Sequence, residues 1–159
     1  MCDVFLEPGP SDAPNSIHGL FQDAHYDYVV DCIDTLAPKV ELLMRAREAG
    51  CTVVSSMGAG GKLDPGAVRV ADLMDTLGDS LAKAVRKRVR QAMRQEGHEG
   101  HAPLARSGVV AVFSDEPARP ASVCEAQSRY KRSYYGTISY MPAVFGLAAA
   151  AYVIRHCLG

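Results

Sequence analysis

The sequence contains no CxxC pair, and its cysteines are odd in number. They stand far apart, and none of their spacings matches a zinc-binding or disulfide pattern. This absence argues against a structural zinc site and a disulfide framework, and it favours a reducing compartment. The five are Cys2, Cys32, Cys51, Cys124 and Cys157.

The chain also lacks a strong charge of either sign. Its formal net charge is -1 and its pI is about 6.5, so no global basic field would draw it to nucleic acid. Such a partner would need a local basic patch. The first residues show no charged segment followed by an apolar run. No signal peptide is therefore predicted, and the cytoplasm is the expected location.

The remaining sequence is typical of one α/β domain. It has 159 residues, of which 48% are hydrophobic, and no internal repeat. Strand and helix patterns alternate along it. The predicted strands are Cys2–Leu6, Tyr28–Asp31, Cys51–Ser55, Ala67–Leu73 and Gly108–Ser114. The predicted helices are Ile17–Asp23, the segment from Pro38 to Ala49, Leu81–Gln95, and the end of the chain from about Pro142 to Leu158.

Residues that begin or end helices support these boundaries. Pro38 suits the first position of a helix, and Gly50 suits the position just after the end of one. Asp79 or Ser80 is expected to cap the helix that follows. The almost continuous apolar run of Tyr28–Asp31 predicts a strand with both faces covered.

Two carboxylates, Asp31 and Asp34, stand at the end of this strand. The carboxyl ends of parallel strands form the ligand crevice of an α/β sheet, and a carboxylate there can hold Mg²⁺ beside a nucleotide's phosphates. The loop Gly58–Gly61 follows the next strand. Its glycines either let the backbone approach a ligand or form a turn with positive φ. Lys62 could meet an anion, although a lysine beside glycines is usually solvated.

The helix Leu81–Gln95 carries the local basic patch. Five cations share one face opposite an apolar face, which fits either a solvated amphipathic helix or a contact with a nucleic-acid backbone. They are Lys83, Arg86, Lys87, Arg90 and Arg94.

The apolar end of the chain is too short and too interrupted for a typical membrane span. A buried or dimer-interface helix is expected there instead.

Nothing near Cys124 would activate its thiol apart from Arg129 and Lys131, so a structural role is expected. His98 and His101 are expected to be solvated, because no other residue completes a zinc site.

The order of motifs resembles the tRNA threonylcarbamoyladenosine dehydratases of the ThiF/MoeB superfamily, whose fold is similar to that of ubiquitin-activating enzymes. The resemblance begins with a strand, DxxD and a helix, and continues through GAGGKxDP. It then includes Val70–Leu73, Asp79 and the Arg86–Arg90 cluster. The stretches Phe113–Glu116 and Gly136–Leu147 extend it to the end of the chain.

This resemblance implies a Rossmann-like α/β fold and an enzyme that uses ATP and Mg²⁺. The enzyme would activate the carboxylate of the threonylcarbamoyl group on a tRNA adenosine, and loss of water would give a cyclic base. Asp34 would be the catalytic and Mg²⁺-binding residue. The cofactor-binding set implied is Asp31, Asp34, Gly58, Gly60 and Gly61. The partners implied are tRNA and a second copy of the chain. A sulfur-carrier adenylyltransferase with a sulfur donor system, or a non-catalytic remnant, are the alternatives.

One part of the family pattern is absent from these 159 residues. No GxGxxG phosphate loop precedes the strand that ends at Asp31, and Met1–Leu6 resembles a later strand of the sheet. The expectation is a truncated or split copy that binds Mg–ATP weakly when alone. Its parts would be the end of a Rossmann-like sheet (1–75), the basic helix and loop (76–107), and the last strand with the apolar helix (108–159).

Overall fold

The fold is known from a computed structural model of the chain. It describes residues 17–22, 25–95, 106–118, 123–125 and 133–159, without the side chains of residues 18, 123–125 and 133–135. The predicted strand Cys2–Leu6 lies outside the described residues, as do His98 and His101. The backbone of Cys124 is described, but its side chain is not.

A four-stranded sheet forms the centre of the molecule. Its strands are β1 (Tyr28–Asp31), β2 (Thr52–Ser56), β3 (Val68–Asp72) and β4 (Val109–Ser114). The spatial order is β1-β2-β4-β3. Strands β1, β2 and β4 are parallel, whereas β3 runs antiparallel to β4. Two short strands, β5 (Val123–Glu125) and β6 (Ser133–Tyr135), form a separate antiparallel pair. The strands predicted within the described residues are confirmed to within one residue at each end.

The described residues include three α-helices: α1 (Leu36–Glu48), α2 (Ser80–Gln95) and α3 (Tyr140–Leu158). The segment predicted as a helix at Ile17–Asp23 contains a single 3-10 turn, His18–Phe21. Two further 3-10 turns, Pro65–Ala67 and Leu73–Asp75, lie on either side of β3.

Helices α1 and α3 both begin earlier than their prolines predicted. Pro38 and Pro142 are each the third residue of a helix rather than the first. The proline costs nothing there, because the N–H groups of the first turn have no partner within the helix. In α1 the ladder starts one residue later, where the N–H of Lys39 donates to the carbonyl of Thr35 at 3.2 Å. The end of α1 is as predicted, with Gly50 at a φ of 78° just beyond it.

Side chains alternate between the two faces of the sheet. Val53 and Val109 point into the larger core beneath α1 and α2, where Val85 and Val89 of α2 are fully buried. Their neighbours along the strands point the other way. Val54 packs with Phe145 of α3 in the smaller core on the opposite face.

This second face is only partly covered, which corrects two expectations. Val30 of β1 is 51% exposed, so β1 does not have both faces buried. Helix α3 is long and apolar enough to cross a membrane by length and composition alone, contrary to the expectation that it is too short, and 17% of its most apolar stretch is buried. It packs on the sheet through one stripe, Met141, Phe145 and Ala149, and is therefore not a buried helix within this chain.

Candidate functional site

A crevice of about 760 Å³ opens at the carboxyl edge of the parallel strands. The segments that follow β1, β2 and β4 contribute to it, and helices α2 and α3 begin beside it. This is the location that the ligand-crevice rule predicts. The residues that line it are Cys32, Asp34, Met57, Gly58, Ala59, Gly60, Lys62, Gly78, Asp79, Ser80, Leu81, Pro117, Ala118, Thr137 and Pro142.

Asp34 is an exposed carboxylate in the wall of the crevice. It lies between the end of β1 and the start of α1, and the hydroxyl of Thr35 donates to its Oδ1 at 3.3 Å. Such a group can contribute an oxygen to a hard cation such as Mg²⁺. The thiol of Cys32, which is also exposed, lines the same wall.

Asp31 lies beneath the crevice rather than in its lining. It is 1% exposed, and its Oδ2 accepts from Lys39 Nζ at 2.5 Å and from Ser55 Oγ at 2.6 Å. Its Oδ1 accepts from the N–H of Ile33 at 2.9 Å. The structure therefore does not bring Asp31 to a position where it could contact a nucleotide. Lys39 was not singled out from the sequence, where it looks like an ordinary lysine in the first turn of a helix.

The structure shows a positive φ at one glycine of this loop and close packing at another, while approach of a ligand to the loop stays a prediction. Gly58 and Gly60 line the crevice, and a Cβ atom on Gly58 would lie 3.0 Å from Oδ2 of Asp79. This distance is shorter than most Cβ contacts in proteins, so a side chain at Gly58 would require the Asp79 carboxylate to shift by a few tenths of an ångström. Gly61 is buried at a φ of 72°, and its N–H donates to the carbonyl of Gly136 at 2.9 Å. Gly61 therefore acts through its conformation, outside the lining of the crevice.

Lys62 is neither solvated nor available to an anion, which corrects the expectation for it. It is 2% exposed. Its Nζ donates to the carbonyls of Ser114 and Glu116, both at 2.7 Å, and lies 3.5 Å from Oδ2 of Asp79. A buried ammonium needs such a set of oxygens because its desolvation is costly. No local sequence signal marks this site, since its partners lie far along the chain.

Asp79 is confirmed as the cap of α2. Its Oδ1 accepts from the N–H of Ala82 at 2.6 Å, and its carbonyl accepts from Lys83 at 3.0 Å. Its other carboxylate oxygen faces Lys62. The first residues of α2, Ser80 and Leu81, line the crevice, so the positive end of the helix dipole lies beside it.

The basic face of α2 is narrower than predicted. Four of the five cations are exposed and form what we call the α2 ridge: Lys83, Lys87, Arg90 and Arg94. Arg86 is half-buried instead, and its guanidinium donates to the carbonyl and hydroxyl oxygens of Thr76. Arg86 therefore secures the segment before α2 and is not part of the ridge.

A second polar cluster lies at the opposite end of β1. The hydroxyl of Tyr28 is 2.5 Å from Nδ1 of His156. A hydrogen bond with the Cys157 side chain, together with desolvation and the nearby charge of Asp27, raises the pKa of Tyr28 to about 12. Tyr28 thus stays neutral at physiological pH.

Among the described residues, no group of three or more His, Cys, Asp or Glu side chains could hold a metal ion.

Curated proteins named tRNA threonylcarbamoyladenosine dehydratase are similar to this chain. The Bacillus subtilis protein is 30% identical over 146 residues, which cover 87% of this chain and 53% of that protein. The Escherichia coli protein is 28% identical over 149 residues, covering 87% of this chain and 54% of its own length. A Saccharomyces cerevisiae protein is 31% identical over 147 residues, covering 82% of this chain and 30% of its own length. No protein-family model matches the chain.

Solved structures of the E. coli enzyme are also similar. The crystal structure of E. coli tRNA N6-threonylcarbamoyladenosine dehydratase in complex with ATP has a TM-score of 0.70 at 26% identity, covering 89% of this chain and 51% of that one. A further structure of the same enzyme has a TM-score of 0.69 at 28% identity and covers 52% of that chain. The chain spans about half the length of the bacterial relatives that it matches. The predicted resemblance and the ThiF/MoeB-type Rossmann-like fold are confirmed.

Proposed function

We propose, from this homology to the tRNA threonylcarbamoyladenosine dehydratases, that the chain takes part in the ATP-dependent cyclisation of threonylcarbamoyladenosine in tRNA. The observation that carries the proposal is the crevice, where an exposed Asp34 and a glycine loop line one cavity at the carboxyl edge of the parallel strands. Structures of the E. coli relative were solved with ATP and with AMP. The chemistry of this edge fits a nucleotide phosphate with its metal ion.

The residues present fit ATP and Mg²⁺ in three respects. The carboxylate of Asp34 would be a ligand of Mg²⁺. The backbone at Gly60 lines the crevice without a Cβ atom, so a phosphate can approach it. The amino end of α2 favours negative charge beside the loop. When bound, ATP would supply the leaving group that makes the substrate carboxylate electrophilic, and Mg²⁺ would neutralise the phosphates.

Reconstitution tests this function. The purified chain would be incubated with tRNA that carries the uncyclised base, ATP and Mg²⁺. One sample would contain the chain alone, and another would also contain the half of the E. coli dehydratase that the chain does not match. We expect a nucleoside lighter by one water molecule, detected by mass spectrometry, only with ATP and with the added half present.

Two controls show whether product formation requires this chain and ATP. The added half without this chain should form no product, and neither should the mixture without ATP. Transfer of adenylate to the C-terminal Gly-Gly of a sulfur-carrier protein, with no cyclised nucleoside, would support the adenylyltransferase instead. RNA binding without any turnover would support a non-catalytic remnant.

The α2 ridge is our proposed tRNA contact. Its four cations lie within about 60° of one another on a helix of 100° per residue, and all are exposed. We expect the triple change Lys87→Glu, Arg90→Glu and Arg94→Glu to weaken tRNA binding about tenfold or more. It should also lower the salt slope by about one unit or less per cation removed. The measurement is tRNA affinity at several salt concentrations.

A matched variant separates the ridge from net charge. Arg45→Glu, Arg69→Glu and Arg155→Glu change the charge by the same amount at exposed positions outside α2. This control should leave most of the affinity intact, and both variants should remain folded because surface changes cost little stability. Equal losses in the two variants would show that α2 has no special contact with tRNA.

We also propose that α3 packs against a second copy of the chain. Leu147, Ile154 and Leu158 are 69%, 58% and 81% exposed. They share one stripe, nearly opposite the residues that contact the sheet. We expect Leu147→Glu with Ile154→Glu to convert a dimer to a monomer in sedimentation velocity, because two charges would be buried unpaired. Lys83→Glu with Lys87→Glu is the control on exposed positions of α2, and it should leave the dimer intact. A wild-type monomer would contradict the proposal.

A further inference from the structure

Lys39 has no role in the function proposed above, yet it occupies a demanding position. Its side chain is 0% exposed, and its ammonium contacts three oxygens: Asp31 Oδ2 at 2.5 Å, the carbonyl of Ser56 at 2.7 Å and the carbonyl of Ile33 at 2.9 Å. An ammonium has three protons to donate, so these contacts use all of them. Both oxygens of Asp31 are occupied as well.

One of the two carbonyls lies in the loop after β1, and the other belongs to the last residue of β2, just before the glycine loop. Ile33 directly precedes Asp34, the carboxylate in one wall. Ser56 directly precedes Met57 and Gly58, which begin the glycine loop in the other wall. One buried ammonium therefore connects the loop after β1 to the end of β2, from which the glycine loop starts, and the ion pair with Asp31 holds that ammonium at the end of β1.

The energetics argue for a geometric role. A buried ion pair is often no more stabilising than apolar residues of similar volume, because both charges lose their hydration. Its directional bonds nevertheless specify one arrangement of the groups around it. Here the bonds fix the backbone just before Asp34 and just before the glycine loop, and they therefore set the separation between the two.

We infer that Lys39 is a positioning residue, which holds Asp34 at a set distance from the glycine loop. Its consequence for Mg²⁺ use rests on the proposed function, whereas its effect on loop order does not. The ammonium acts through the backbone of Ile33 and Ser56 and touches no reacting atom. Asp31 is a positioning residue as well, since its carboxylate holds the ammonium of Lys39 in place.

Peptide-resolved hydrogen–deuterium exchange on the purified chain tests the loop order. In Lys39→Met, we expect residues 32–34 and 57–61 to exchange at least about tenfold faster, while α2 keeps its wild-type rate. Arg45→Met is the control on α1, where the side chain is exposed, and both loops should retain their rates.

If Lys39→Met unfolds the whole chain, the same exchange experiment on Asp31→Asn tests the inference instead. This change keeps the shape and removes the charge that anchors the ammonium, so both loops should still exchange faster than in the wild type. Unchanged exchange in both loops, in either folded variant, would overturn the inference.

A second readout separates positioning from mere stabilisation. In the reconstituted reaction, Lys39→Met should raise the Mg²⁺ concentration for half-maximal rate at least about tenfold, the usual scale for groups that orient a ligand. A pair that only stabilised the core would leave this value unchanged, and that result would overturn the role in Mg²⁺ use. If no variant turns over, the proposed function fails, and the exchange experiment still decides on Lys39.

Discussion

Replacing Asp34 by Asn is expected to lower the rate of cyclisation in the reconstituted reaction at least about a hundredfold, the scale seen when one preorganised electrostatic contact is removed. Asn has nearly the same shape but carries no charge. It would leave Mg²⁺ without its carboxylate ligand while the crevice keeps its form. The measurement is the cyclised nucleoside, quantified by mass spectrometry over time.

The fold should survive this change, because Asp34 is exposed and Asn can still accept from the Thr35 hydroxyl. Thermal unfolding followed by circular dichroism checks that point. Asp75→Asn provides the matched control, since this exposed carboxylate lies after β3, at the opposite edge of the sheet. Near-normal turnover in Asp34→Asn would remove Asp34 from the site.

The second large effect concerns stability. Lys62→Met is expected to lower the free energy of unfolding by about 3–5 kcal/mol, because the buried carboxylate of Asp79 would lose its cationic partner. The Asp79 side chain is 1% exposed in this pair. The loss of a donor to the carbonyls of Ser114 and Glu116 adds to the cost. Urea unfolding of the purified chain measures the change.

A double-mutant cycle shows whether the pair is the cause. Asn in place of Asp79 can still accept from the N–H of Ala82, so the cap of α2 survives. Lys62→Met with Asp79→Asn should therefore cost less than the sum of the two single changes. Arg45→Met, which breaks an exposed pair with Glu48, is the control and should cost less than about 1 kcal/mol. Additive losses in the cycle would show that the two side chains are not coupled.

The elements of the fold were predictable because their signals are local. The cap at Asp79, the terminator Gly50 and the apolar run of β1 act within a few residues of their position. The location of the crevice was predictable too, because the carboxyl ends of parallel strands share one edge. The two helices with proline in their first turn were placed late, since Pro38 and Pro142 tolerate three starting positions rather than one.

Burial of charge was the part that local patterns could not predict. Asp31 and Asp34 are three residues apart and look equivalent in the sequence, but one is 1% exposed and the other lies at the surface of the crevice. Lys62 looks solvated beside its glycines, yet its oxygen partners are more than fifty residues further along the chain. Arg86 looks like part of the basic face in the sequence, but its guanidinium donates to the carbonyl and hydroxyl oxygens of Thr76.

The sequence by itself determined the α/β class, the ends of most elements, the resemblance to the dehydratases and the wall of the crevice that holds Asp34. Each of these depends on residue type and short spacing, which act before the chain is packed. Only the tertiary structure decided which charges are buried and what they connect. Lys39 and Lys62 obtain their roles from carbonyls and carboxylates that packing brings together, since the desolvation of an ammonium is compensated only where such oxygens converge.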